Sequence, residues 1–282
     1  MLYLLMSVLF SSAIFIIFKL FDTYKINTLQ AIVFNYFTAF TIGIMSHESA
    51  INYIKLPGKP WFIGAIVLAS LFISVFNVMA ITSQKNGVSV AAVAGKMAVV
   101  IPVLFGVFLY KENLTTQKVI GILLAISAVY FITLKDKSTI VQKASLIFPI
   151  LLFLGAGIID TTIKYVQTNY VPSSDTNLFS GILFGLAGVL GVLVYSIKPS
   201  PITLKNGIAG VILGIINYYS IYYLLKALDI KNISSAVVFS INNVSVVALC
   251  TLLGLFIFKE KLTSKNWIGI GIAIISILLI TQ

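Results

Sequence analysis

Three ionisable side chains fall where charge is expensive. Lys96, Asp160 and Lys164 lie inside long apolar stretches of a 282-residue chain in which 59% of residues are hydrophobic and 10% charged. A charge in hydrocarbon must be paired, hydrated or turned toward an interior cavity, so such residues mark candidate substrate or ion sites. Asp160 and Lys164 are four apart, on one face of a helix, with the acid N-terminal to the base in the favourable order. They can form an intrahelical ion pair, with Lys164 reaching toward the interface near Tyr165. Alternatively, Asp160 faces a central cavity and binds a proton or a cationic group. Lys96 stands eight residues after Val88 and six before Pro102, roughly two turns deep and too far in to reach water along its own stem. Its ammonium can neutralise a substrate carboxylate or phosphate, or pair with Asp160.

Polar but uncharged groups fall in the same stretches: Asn35, Asn77, Asn217, Asn242 and Asn243, with Tyr36, Tyr218 and Tyr222 beside some of them. Their default use is hydrogen bonding between helices, worth about 0.6 kcal/mol each in membranes. The other use is substrate recognition, for which tyrosine offers a hydroxyl on an apolar ring. Tyr218, Tyr219, Tyr222 and Tyr223 cannot all face one way on a helix; Tyr218 shares a face with Tyr222, and Tyr219 with Tyr223. Pro102 removes a backbone hydrogen bond within its stretch and predicts a kink, either for gating or as static curvature. Gly181 with Gly185, and Gly210 with Gly214, are small-xxx-small pairs expected at close helix crossings, with a homodimer contact as the second reading.

Other chemistries find little support. The eight acids are scattered singly, and the lone His47 sits beside Glu48 without a companion at metal-ligand spacing. Intramembrane hydrolases and metal enzymes need clustered acids, His or Cys, so the expectation is no enzyme, no metal and no cofactor. Cys250 is the single cysteine, which excludes an intramolecular disulfide. The net charge of +11 comes from 19 lysines without arginine, held mainly in short connections. That pattern flanks a membrane and does not bind nucleic acid. A channel would need a re-entrant filter loop or a ring of subunits, and a sensor an output domain.

These residues must be positioned by membrane-spanning helices. Mean hydropathy is +1.07, and ten apolar stretches could each cross about 30 Å of hydrocarbon. They run at about 2–20, 28–46, 61–83, 88–110, 116–134, 144–166, 176–197, 205–227, 233–258 and 266–281. The first has neither a basic leader nor a small-residue cleavage site, and reads as a retained span.

The spans divide into five and five. Lys111-Glu112-Asn113-Leu114-Thr115 leading to Gly121-Ile122 recurs 148 positions later as Lys259-Glu260-Lys261-Leu262-Thr263 leading to Gly269-Ile270, and residues 109–134 share eleven identities in 26 positions with 257–282. At an offset of 145, Phe15 to Lys19 falls on Asp160 to Lys164, and Val88-Ser89 on Ile233-Ser234. The chain is therefore a duplication, with a first unit at 1–138 and a second at 139–282. An odd number of spans per unit makes the two copies face opposite sides of the membrane, an inverted repeat around a central cavity, as in many secondary transporters. The recurrence of Glu112 and Glu260 fits turn capping better than catalysis. Lysines favour the loops after odd spans, eleven against six, an imbalance that arises from the loop at 135–143 onward, at eight against two. Taken literally this places both termini outside.

Ten spans, five-plus-five duplication and the Lys-Glu-x-Leu-Thr turn opening the last span of each half resemble the EamA-like branch of the drug/metabolite transporter superfamily, over the whole chain. Members commonly carry a Pro about ten residues before the Glu, as Pro102 precedes Glu112; Cys250 stands at the equivalent place in the second half. The resemblance implies a multi-pass protein of the cytoplasmic (inner) membrane with both termini cytoplasmic, against the lysine count. It implies a secondary transporter, moving a small amino-acid-like or other polar or amphipathic metabolite by alternating access, with proton coupling through Asp160 left open. A sugar, nucleotide-sugar or drug carrier is the alternative within the superfamily. The expected partners are a small-molecule substrate and the lipid bilayer.

Overall fold

The computed structural model describes residues 2–46, 53–110, 115–134, 144–172, 175–197, 199–228 and 235–280. His47, Glu48 and the first-half turn at 111–114, with Glu112, lie outside them. All regular structure among the described residues is helical: α1 (Leu2–Thr23), α2 (Thr28–Met45), α3 (Phe62–Lys85), α4 (Val88–Met97), α5 (Val100–Tyr110), α6 (Thr116–Thr133), α7 (Ala144–Tyr170), α8 (Thr176–Ile197), α9 (Leu204–Leu228), α10 (Ser235–Phe256) and α11 (Ser264–Ile280), with a short 3₁₀ turn at Tyr53–Gly58. Lipid offers no partner for a backbone N–H or C=O, so a chain this apolar must close its hydrogen bonds within each segment. Nine of the described spans are long and apolar enough to cross a membrane, α4 and α5 counting as one. The tenth, α11, has 17 residues, about 26 Å of rise. It packs along α6, itself only 18 residues. The shortest crossing is thus partnered by another short one, and each is the last span of its half.

Their interface displays the inversion. A Cβ added at Gly121 would stand 2.7 Å from Ile280, and one added at Gly269 would stand 2.7 Å from the backbone nitrogen of Ile132. Gly121 and Gly269 are repeat counterparts, as are Ile132 and Ile280, both pairs 148 apart. Each half's glycine therefore admits the other half's isoleucine, at opposite ends of an antiparallel pair.

The same exchange runs through the whole molecule. α2 on α9 is mirrored by α8 on α3, and α1 on α9 by α7 on α3, while α2–α8, α4–α10 and α6–α11 pair across the axis. Gly181 meets Gly43 and Gly185 meets Phe40 of α2; Gly210 and Gly214 meet Ala31 and Thr38 of α2. Both small-xxx-small pairs are used within the chain, where they let backbones approach. The protein is a ten-span bundle of two inverted five-helix repeats about a central cavity.

Two polar clasps fasten the mirrored pairs. On the face away from the start of α1, Asn206 Nδ2 donates to Gln30 Oε1 at 2.6 Å, and Gln30 Nε2 donates to Ser200 Oγ at 3.0 Å and the Pro201 carbonyl at 3.1 Å. On the face where α1 begins and α11 ends, Trp61 Nε1 donates to Asp175 Oδ2 at 3.1 Å and Lys59 Nζ pairs with the same oxygen at 2.9 Å. Gln30 and Asp175 are 145 apart, as are Trp61 and Asn206. One architectural contact is thus built twice from different side chains.

Glu260 caps a helix of the other half. Its carboxylate accepts from Val88 N at 2.6 Å, Ser89 N at 3.3 Å and Ser89 Oγ at 2.8 Å, closing the N-terminus of α4 in the other half. The Gly87 backbone at φ 108° and the bare Cα of Gly254 leave room for it.

Candidate functional site

The fourth crossing is not the continuous helix that its apolar pattern predicts. It breaks at Ala98–Val99 between α4 and α5. Pro102 has no N–H to offer the Ala98 carbonyl, which instead accepts from Ile101 N at 3.0 Å in a tighter turn. Irregular backbone at membrane depth survives only where protein buries it or it borders a cavity, and this break does border one.

That cavity holds 560 Å³ and is walled by α4–α5, α7, α9 and α10. From the broken crossing come Lys96, Val99, Pro102 and Val103; from α7, Asp160, Ile163, Lys164, Gln167 and Thr168, a stripe at helical spacing; from α10, Asn242 and Asn243. Asp160 stands at mid-helix and its exposure is to this cavity, while Lys96 is half-buried, close enough for the two charges to interact. Asn242 is fixed from behind, its Oδ1 accepting from Ser7 of α1 at 3.0 Å and its Nδ2 reaching Asn243 Oδ1 at 3.5 Å. The site thus offers two ammonium groups, one carboxylate and primary amides around open space. It can hold an anion or a zwitterion. Among the described residues no group of three His, Cys, Asp or Glu could hold a metal.

A second chamber of 280 Å³ adjoins the first, lined by Phe72, Phe179, Phe184, Ser180, Tyr218 and Tyr222 among others. Tyr218 and Tyr222 stack at 6.4 Å and face this space, whereas Tyr219 and Tyr223 turn to Phe10 on α1. Tyr218 also donates to Ser46 at 3.0 Å, at the end of α2. Phe72, Phe179, Phe184 and Gln167 were not singled out by sequence; they come from three helices, and only packing assembles them.

The other polar candidates lie elsewhere. Asn217 Nδ2 donates to Asn35 Oδ1 at 3.2 Å in the buried α2–α9 contact, and Asn77 donates to the Ile73 carbonyl of its own helix at 2.7 Å. Tyr36 is fully buried between Phe76 and Phe184. None of these four lines either chamber.

Much of the lining comes from the C-terminal parts of α2, α7 and α9 and the N-terminal parts of α8 and α10, in the half of the bundle where α1 begins, while Phe72, Lys96, Val99, Pro102 and Asp160 lie nearer mid-span. α1 packs on α3, α4, α9 and α10, and none of its described residues lines either chamber.

A model of the EamA-like transporter family matches residues 1–134 and again 143–282. The chain belongs to the EamA-like transporter family. This EamA-like protein is a multi-pass membrane protein, and members of its family are transporters. It is 26% identical over 276 residues to an uncharacterized protein of Haemophilus influenzae, covering 95% of this chain and 93% of that one. A shorter likeness, 48% over 59 residues, covers 21% of this chain and 50% of a protein of Hamiltonella defensa described as "Probable 4-amino-4-deoxy-L-arabinose-phosphoundecaprenol flippase subunit ArnE". A crystal structure of 15% identity shares the fold, with a TM-score of 0.63 over 99% of this EamA-like chain and 94% of its own.

Proposed function

We propose that this EamA-like protein is a secondary carrier that exports a small anionic or zwitterionic metabolite of polar or amphipathic character across the cytoplasmic membrane. Both termini are cytoplasmic in this reading, so the open cavity faces the cytoplasm. The observation that carries it is the 560 Å³ cavity bearing Lys96, Asp160, Asn242 and Asn243 between the helices of the two halves. An inverted repeat can exchange the conformations of its halves, which would move the opening to the opposite face. Lys96 neutralises a carboxylate or phosphate, Asp160 receives an ammonium or a coupling proton, and Asn242 and Asn243 supply hydrogen bonds.

A thermal-shift screen of the purified protein against metabolites identifies the ligand, since binding to the folded state raises apparent stability. Flux of that ligand is then measured in proteoliposomes. Binding that survives unchanged in both Lys96→Met and Asp160→Asn overturns the charged site. Flux indifferent to a pH gradient, and unchanged in Asp160→Asn, removes proton coupling.

A second reading draws on the likeness to the flippase subunit. A lipid-linked amino-sugar phosphate would place its phosphate at Lys96 and its amine at Asp160. Flux of such a lipid, measured as accessibility in either leaflet, separates the two.

A further inference from the structure

The two chambers touch along one strip of one helix. Ile163 and Gln167 of α7, one turn apart, line both, and no other described residue does. On one side of this sill lie Lys96, Asp160 and the amides. On the other the surface is apolar and aromatic, with Phe72 on α3, Phe179 and Phe184 on α8, and Tyr218 and Tyr222 on α9. The far wall is kept thin by small residues: Gly43 and Gly181 stand back to back, a Cβ at the first falling 3.1 Å from the Cα of the second. Ser180 beside them spends its hydroxyl on the Thr176 carbonyl at 3.0 Å and so offers no free donor to the chamber.

We propose that the 280 Å³ side chamber is a second substrate subsite, taking an apolar ring or branched limb of a substrate whose charged head lies at Lys96 and Asp160, with Ile163 and Gln167 as the sill the limb crosses. This rests on the charged-site reading above and narrows its substrate class. A wholly polar metabolite would leave the aromatic walls wet; a polyprenyl tail would overfill the space. The fitting ligand is a small anion or zwitterion with one compact apolar limb. Gln167 can reach the polar part of such a ligand while Ile163 packs against the apolar part, so the pair sets the distance between head and limb.

Two probes with the same head test this: butyrate and 4-phenylbutyrate, titrated calorimetrically into the purified full-length protein. Burying a phenyl ring is worth at least about tenfold in affinity. The wild type should therefore bind 4-phenylbutyrate at least about tenfold more tightly than butyrate. Ser180→Phe on α8 and Ile221→Phe on α9, at residues that line only the side chamber, should each fill it, erase that advantage and leave butyrate binding in place. Lys96→Met should weaken both probes. Equal affinities in the wild type, or an advantage retained in both filling variants, overturn the subsite and leave the charged site standing. Binding of neither probe to the wild type overturns the charged-site reading, and the subsite with it. Retained butyrate binding shows that a filling variant is folded, and the two substitutions on different helices guard against a local packing artefact.

Discussion

α1 and α7 are copies of one helix that ended in different places. α1 packs on both halves, touching α3, α4, α9 and α10. α7 packs on α3, α4, α5 and α6, and faces α9 and α10 across the two chambers. At the corresponding position α1 carries Phe15, buried against Gly95, and α7 carries Asp160, open to the cavity. An apolar ring is packed into the core in one copy, and a carboxylate borders the cavity in the other. The lesson is that the inverted halves share a scaffold while their first helices divide the work: one packs, the other lines.

Exchanging the two residues should break this division. Asp160→Phe gives α7 the ring of α1, and flux of the identified ligand in proteoliposomes should fall by at least about a hundredfold through a shift toward the closed form. Wild-type flux in that variant would mean the difference at this position is decorative. Cysteine accessibility sharpens the same contrast: in membranes, Asp160→Cys should react with a water-soluble maleimide about fiftyfold faster than Phe15→Cys, whose labelling requires local opening. Native Cys250 is fully buried and serves as the silent background.

Stability should divide the other way. Phe15→Ala removes a buried ring and should cost about 3 kcal/mol in thermal or denaturant unfolding, whereas Asp160→Ala should change it by less than about 1 kcal/mol. An effect smaller than that at Phe15 is expected at the next pair of counterparts. Lys19 donates to the Gln84 carbonyl at 2.7 Å, and Lys19→Met should lose about 1 kcal/mol. No loss at all would show that this end of α1 is held by apolar packing alone.

Much of the frame was legible because some constraints preserve residue identity. The α6–α11 crossing needs glycine on both sides, so Gly121 and Gly269 kept their identity and exposed the duplication. The division of the tyrosines into two faces followed from helical period alone. The clasps were illegible for the opposite reason: a Gln–Asn pair on one face and an Asp–Trp pair on the other satisfy the same junction, so identity drifted while geometry stayed. Asn35, Asn77, Asn217 and Asn242 look alike in sequence, and only packing separates the one at the cavity from those within or between helices. The cross-half reach of Glu260 was hidden because a cap is read from neighbours in the chain, and its acceptor role is played 172 residues away from Val88.

That distance has a biosynthetic side. At roughly 5–20 residues per second of synthesis, the N-terminus of α4 leaves the ribosome some ten to thirty seconds before Glu260 exists. The Val88 and Ser89 amides must meanwhile be held by water, lipid headgroups or the insertion machinery, so the first half waits in the membrane with an unfinished helix. A chain truncated between the halves should therefore be a substrate for membrane quality control, and supplying the second half as a separate polypeptide should rescue it.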